Sequence, residues 1–412
     1  MLDRIAKIFS SLRLTVILLA AGLVLVFVGT LAQVHEGLYD AQTRYFKSWF
    51  VWMPTIAERR WPILLPGGYL IGTLLVVNLL SAHAKRFKFE KKKIGILLVH
   101  GGLILLLLGQ LTTDMLQVET QMRLTEGESK NYSESGSHAE LAVIDKSNPD
   151  SDIVVAVPER ILSKKGEIRH PDLPFTIRVK DYFPNSEPQV RPPMADNEPP
   201  QATQGIAGRF RFEPVPPTVR MDERNIPSAI VEVTGAKGSL GSWALSSWAT
   251  EEALLAYLQV DWNKQAGEGM GDRLVSQLSK PQEFEAAGRK FQIALRPARV
   301  YAPHRIQLID FRHDKYRGTE IPKNFSSLIR LTNATTGEDR EVKIYMNSPL
   351  RYAGATYYQA SFDKFDPRVT VLQVVRNPGW LTPYFACGLV ALGLVVQFLS
   401  HLIRFATKRR KA

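Results

Sequence analysis

The sequence predicts a membrane α + β protein: four transmembrane helices, with a large β-rich domain, sandwich or open barrel, between the third and the fourth. Three observations predict it. Apolar runs recur at about 12–33, 62–82, 94–113 and 380–405, each close to the roughly 20 residues that cross a hydrocarbon layer about 30 Å thick. Positive charge gathers beside these runs, in Lys85, Arg86, Lys88, Lys91, Lys92 and Lys93 and again in Lys408, Arg409, Arg410 and Lys411. Between the third and fourth runs, residues 114–379 form a long polar stretch whose apolar residues alternate with period two, as half-buried strands do.

Residues 1–12 place Leu2, Ile5, Ile8, Phe9 and Leu12 at helical spacing with Arg4 and Lys7 between them, the pattern of a short amphipathic helix on a membrane surface. The first span, 12–33, has a longer apolar run than the core of a secretory signal and no small-x-small cleavage site, so it is expected to stay as an anchor. Loop 34–61 carries Tyr39, Tyr45, Phe46, Trp49, Phe50, Trp52 and Trp61, the aromatics that favour the headgroup belt. His35, at the outer end of the first span, is a minor ligand candidate. The second span, 62–82, ends at His83 beside the basic loop.

The third span, 94–113, holds one ionisable group, His100, roughly 9 Å in from its lysine-rich end. An imidazole at that depth is expected to face a bundle interior or a cavity rather than lipid. Gly95, Gly102 and Gly109 recur every seven residues, so at about 100° per residue they fall near one line, a seam on which a neighbouring helix can approach closely. His100 lies on roughly the opposite side. One face would then pack while the other presents either a ligand or a purely structural hydrogen bond.

Six segments of the polar stretch read as strands: 139–144, 175–179, 229–233, 291–295, 341–345 and 369–375. One helix is expected from Thr250 to Leu258, and residues 184–217, with nine prolines, read as a long extended loop. The fourth span, 380–405, has Pro383 near its start and His401 near its inner end, and residues 406–412 form a basic cytoplasmic tail. The positive-inside preference then sets both termini and loop 83–93 in the cytoplasm, with loop 34–61 and residues 114–379 outside.

The net charge of +12 sits mainly at membrane flanks, which speaks against nucleic-acid binding. A single cysteine, Cys387, inside the last span, leaves no C-x-x-C or C-x-x-C-H, so this chain carries out no dithiol chemistry and any redox partner must be another protein. His138, His170, His304 and His313 show no metal-ligand spacing. No nucleophile triad, phosphate loop or paired catalytic carboxylates stand out.

Further motifs close the polar stretch: Ile306-Gln307-Leu308-Ile309-Asp310-Phe311, Phe325-Ser326-Ser327, Asn347-Ser348-Pro349-Leu350-Arg351-Tyr352-Ala353-Gly354, Tyr357-Tyr358-Gln359-Ala360-Ser361-Phe362 and Asn377-Pro378-Gly379-Trp380. With Ser10-Ser11-Leu12-Arg13-Leu14 at the first span and Val99-His100-Gly101-Gly102-Leu103 in the third, the chain resembles the ResB (CcsB) family over nearly its whole length. The resemblance implies a subunit of the system II cytochrome c synthase, a cytochrome c haem lyase complex. That complex exports haem b across the membrane and attaches it to apocytochrome c with a ResC (CcsA) partner, a thioredoxin-like thiol reductant acting indirectly. The setting would be a bacterial cytoplasmic membrane, a thylakoid membrane being compatible, with the large domain periplasmic. His100 matches the position of a transmembrane haem ligand, the second ligand being expected from the partner; His83, His401 and His35 are weaker haem-binding candidates. Asn347, Pro349, Gly354 and Gln359 read as a turn and strand entry. The alternative from a different class is a non-catalytic scaffold or apocytochrome chaperone, with His100 structural. A transporter or sensor subunit would call for more intramembrane polar residues or a cytoplasmic signalling domain.

Overall fold

A computed structural model describes residues 7–53, 63–86, 93–149, 151–191, 199–218, 224–318, 322–363 and 366–411. Most of the expected N-terminal amphipathic helix, Trp61, and the loop lysines 88, 91 and 92 lie outside the described residues. The longer helices are α1 Leu12–Glu36, α2 Gly68–Arg86, α3 Ile94–Leu116, α4 Glu252–Ala266, α5 Met270–Leu278 and α6 Thr382–Lys411. The chain divides into two units, one made of residues 1–118, 219–222 and 376–412, the other of 119–218 and 223–375.

The first unit is built on apolar helices. Leu12–Glu36, Ile94–Leu116 and Thr382–Arg409 are long and apolar enough to cross a membrane, and Gly68–Ala84 is a shorter apolar helix. The expected second span, 62–82, is therefore not one continuous helix. Residues 63–66 form strand β2 (Ile63–Pro66), which pairs antiparallel with β1 (Phe50–Met53). Pro66 lacks the N–H a helix needs, and Gly67 and Gly68 lie so close to the Ser48 and Phe46 backbone that a Cβ on either would collide. Among the described residues three helices, not four, reach spanning length. The β1–β2 ribbon packs Val51 and Leu65 against Leu25, Val28 and Ile71, while Phe50, Trp52 and Leu64 on its other face are exposed.

Helices α3 and α6 form the closest pair, and the glycine seam explains why. Gly95, Gly102 and Gly109 are the buried residues of α3. A Cβ on Gly102 would stand 2.6 Å from Val390 Cγ2 and 2.7 Å from the Ala386 carbonyl, and one on Gly95 would stand 2.8 Å from the Gly393 carbonyl. Gly393 on α6 reciprocates, its Cβ position lying 2.7 Å from the Gly95 carbonyl. Small residues on both helices let the backbones approach.

The second unit is β-rich, with strands β3 Val118–Thr125, β4 Ser129–Asp145, β5 Ile153–Pro158, β6 Glu167–Ile168, β7 Phe175–Phe183, β8 Ser186–Val190, β9 Phe210–Pro214, β10 Ser228–Gly235, β11 Gly238–Ser246, β12 Gln282–Ala286, β13 Arg289–Lys315, β14 Pro322–Asn333, β15 Glu338–Tyr345, β16 Leu350–Tyr352, β17 Ala355–Phe362 and β18 Val369–Arg376. All six expected strands are present. The main sheet runs β15-β14-β13-β4-β3-β18-β17-β16, with β5 and β12 as side branches on β4 and β13, and a smaller sheet runs β11-β10-β7-β6. Both expected architectures occur, joined by the 27-residue strand β13. Its first part faces the smaller sheet across a sandwich core of Leu141, Val143, Ile177, Val231, Trp243, Phe291 and Ile293. Its second part curls with β14–β18 around a barrel-like core of Leu124, Ile306, Leu308, Ile329, Leu331, Ile344, Tyr357 and Leu372. Register shifts between Pro297 and Arg299 and between Tyr301 and Ile306 separate the two parts, as bulges do where a strand turns from one core to another.

Two sequence expectations need correction here. The proline-rich stretch 184–217 is not wholly loop, because Ser186–Val190 and Phe210–Pro214 pair as a two-stranded ribbon (β8–β9); residues 192–198 lie outside the described residues. The helix expected at 250–258 runs to Ala266 and is followed by α5. These helices cover the other face of the smaller sheet, burying Leu258, Trp262, Leu274 and Leu278 with Ile230 and Ala244.

Candidate functional site

Asn78 fixes where α2 lies. Buried at 3% exposure, its amide donates to the Phe9 carbonyl at 2.6 Å and the Ser11 carbonyl at 3.1 Å, and its Oδ1 accepts from the Thr15 hydroxyl at 2.6 Å. Five residues further on, α2 presents His83 to α3. There His83 Nε2 and His100 Nδ1 are 3.0 Å apart, with ring centroids 4.8 Å apart at 85°. His83 Nδ1 lies 2.9 Å from the Leu79 carbonyl one turn back.

This chain of contacts assigns the protons. A carbonyl oxygen only accepts, so His83 carries its proton on Nδ1. In the neutral ring Nε2 is then an acceptor, and His100 donates to it from Nδ1. His100 Nε2 is left with the lone pair, the nitrogen form that binds a metal. Along α3, Ile96, Leu103, Leu107 and Leu111 are exposed and recur on the His100 side, away from the buried glycine seam. An imidazole lone pair beside an apolar stripe can ligate one flat, apolar metal-bearing group.

The other histidines stand apart from this pair. His401 is exposed on α6 and accepts from the Gln397 amide at 2.9 Å; Gln397 packs against Gly95, at the N-terminal end of α3, five residues before His100. His35 is exposed in the last turn of α1. In the second unit, His138 meets Ser137 at 2.9 Å on the surface, and His170 faces Asp172 at 3.5 Å. His304, 1% exposed, bonds Tyr357 at 2.7 Å and meets Tyr352 edge-on within the barrel-like core. His313 stacks on Phe325 and meets Phe362 at a tilt. Among the described residues no group of three or more His, Cys, Asp or Glu could hold a metal ion.

Sequence reasoning had placed His83 and His100 separately, without the contact that joins them. It also missed Asn78, although a polar residue inside an apolar run is itself a signal, and Asp114, which pairs with Lys47 at 2.5 Å and accepts from Tyr69 near the C-terminal end of α3.

The closing motifs have structural work. Ala353 and Gly354, at φ 48 and 77, form the two-residue turn between β16 and β17 that a mirror-image hairpin turn requires. Ser327 Oγ lies 2.6 Å from Gln359 Oε1, and the Gln359 amide donates to Thr370 Oγ1 at 2.9 Å, a knot across β14, β17 and β18. In the first unit Asn377 Oδ1 caps Gly379 at 2.9 Å, and its amide reaches Thr113 at 3.3 Å, tying the start of α6 to the end of α3.

A family model described as ResB-like family matches residues 271–368. These run from α5 through β17 and include the whole of the barrel-like part of β13, but neither histidine of the α2–α3 pair. The protein NrfI of Wolinella succinogenes is 29% identical over 113 residues, which is 27% of this chain and 12% of that protein. The chain thus matches only a small share of that relative's length. Over the 271–368 segment, with the hairpin turn and the Ser327–Gln359–Thr370 knot inside or beside it, the chain is similar to the ResB-like family.

Proposed function

We propose that this chain is a membrane subunit of the system II cytochrome c synthase, taking part in haem export and in covalent attachment of haem to apocytochrome c. The match of residues 271–368 to the ResB-like family and the likeness to NrfI support a role in cytochrome c biogenesis. The observation that carries the reading to a site is the histidine pair, which leaves His100 Nε2 as a neutral axial donor for the iron of a haem b cargo. One such nitrogen supplies one ligand. The other comes from a ResC (CcsA)-type partner.

The two basic clusters support a topology with loop 83–93 and the C-terminus on the cytoplasmic side and the β-rich unit on the periplasmic side of a bacterial cytoplasmic membrane. The second crossing then falls to helix Gly68–Arg86, whose 19 residues rise about 28 Å at 1.5 Å per residue, close to a hydrocarbon thickness of about 30 Å. The open-edged β1–β2 ribbon belongs outside the hydrocarbon, where water can satisfy its free backbone groups. His83 and His100 lie toward the cytoplasmic ends of their helices, where haem made in the cytoplasm would first be met. The β-rich unit would hold apocytochrome near the haem vinyl groups, so that its contribution to thioether formation is proximity; the thiols are kept reduced by a separate thioredoxin-like protein.

The test is the absorption spectrum of the complex purified with a ResC-type partner, wild type against His100→Ala. The expected outcome is a haem band lost or shifted in the variant and restored by added imidazole. An unchanged band with normal cytochrome c maturation would reject the ligand role and leave a scaffold or apocytochrome chaperone.

A further inference from the structure

The short contact between His83 and His100 admits two roles for His83. As a second ligand it would sandwich a metal with His100. Two nitrogens on opposite sides of a metal stand about 4 Å apart, twice a metal–nitrogen bond of about 2 Å. They are 3.0 Å apart, a hydrogen bond. Both His83 nitrogens are engaged, Nδ1 by the Leu79 carbonyl and Nε2 by His100.

We propose that His83 is the positioning residue of the haem ligand. It fixes the His100 tautomer and ring orientation through the relay Leu79 carbonyl, His83, His100, and strengthens Nε2 as a donor. This inference rests on His100 being the haem ligand, as read above. The relay suits the task on physical grounds. A metal-bound imidazole whose other N–H is hydrogen-bonded is held in one tautomer and becomes more basic. Here the acceptor is itself locked by a helix carbonyl one turn away, so no side-chain rotation frees it without breaking two hydrogen bonds. Asn78, on the same helix as His83, anchors that helix to the start of α1.

The experiment uses the full chain copurified with its ResC-type partner and replaces the donor ring with a small molecule. In His100→Gly, added imidazole can occupy the vacated place and donate its remaining N–H to His83; 1-methylimidazole can ligate iron but has no proton to donate. With His83 present, imidazole is expected to restore the haem spectrum at a concentration about 2- to 10-fold lower than 1-methylimidazole, the worth of one hydrogen bond. In His100→Gly/His83→Phe that preference is expected to vanish, and in His100→Gly/His83→Gln, whose amide oxygen can accept, to return. In the otherwise wild-type complex, His83→Phe is expected to keep haem but raise its reduction potential, because the ligand has lost electron density. An equal preference in the Gly and Gly/Phe backgrounds overturns the relay. Haem lost from His83→Phe but kept in His100→Ala overturns it too, by making His83 the ligand. A native spectrum in both single variants instead removes the haem reading itself, an outcome distinct from failure of the relay alone.

Discussion

At the scale of the residue, the helical unit depends on where side chains are missing. Gly101 and Gly102 are neighbours in sequence with opposite surroundings: a Cβ on Gly101 meets nothing within 4 Å, whereas one on Gly102 meets Val390 and the Ala386 carbonyl of α6. Gly101→Ala gains helix propensity, about 0.5–1 kcal/mol, without a clash. Gly102→Ala must push α6 away, an overpacking cost of roughly 1–3 kcal/mol. Melting in detergent, followed by loss of the monodisperse peak, should therefore show Gly102→Ala below wild type and Gly101→Ala at or above it. Equal melting temperatures would mean that the seam does not hold the two helices. The seam was legible in the sequence because seven-residue spacing is a property of one helix. The His83–His100 contact was not, because it depends on the rotation and depth of two helices, of which Asn78 anchors α2 through its bonds to the start of α1.

At the scale of the element, strands β4 and β13 hold the second unit together, and one buried ion pair lies between them. Arg296 and Glu140 are 3.0 Å apart with side chains 6% and 9% exposed. Neighbouring Arg299 pairs with Glu134 at 2.9 Å and lies 4.0 Å over the Tyr132 ring. Removing one partner of a buried pair leaves the other charge without compensation, a loss of about 3–5 kcal/mol, whereas replacing both with apolar residues of similar volume is close to neutral. Arg296→Met alone should sharply lower the denaturation midpoint, and Arg296→Met/Glu140→Leu should recover most of it. A double variant as unstable as the single one would show that the pair supplies more than mutual neutralisation. The strands themselves were readable from alternation: Leu141-Ala142-Val143-Ile144 and Phe291-Gln292-Ile293 sit where expected. Ribbon β8–β9 was not, since Pro188 and Pro214 lie within it and proline argues against a strand unless it sits at an edge. The break at Pro66-Gly67-Gly68 was missed for a related reason, since hydropathy does not distinguish an apolar strand from the first turn of an apolar helix.

At the scale of the whole molecule, the two units differ in what their cores require. The sandwich core, the barrel-like core and the helix-covered face of the smaller sheet draw all their buried residues from positions 122–374, inside the second unit. The helices of the first unit instead leave Val16, Leu23, Phe27, Leu107, Phe398 and Leu402 exposed, apolar surface that an apolar solvent must cover. A fragment of residues 119–375 carries those three cores without the spans, and its length is ample for a self-sufficient core. Exported to the periplasm without the helices, the fragment should be soluble without detergent, show a strand-dominated circular dichroism spectrum and melt in one cooperative transition. Arg296→Met should lower that transition in the fragment as it does in the full chain, because Glu140 and the strands around it are the same. A fragment that is soluble only in detergent, or that melts without cooperativity, would show that the β-rich unit takes part of its stability from the membrane helices. The two units would then have to be treated as one folding entity.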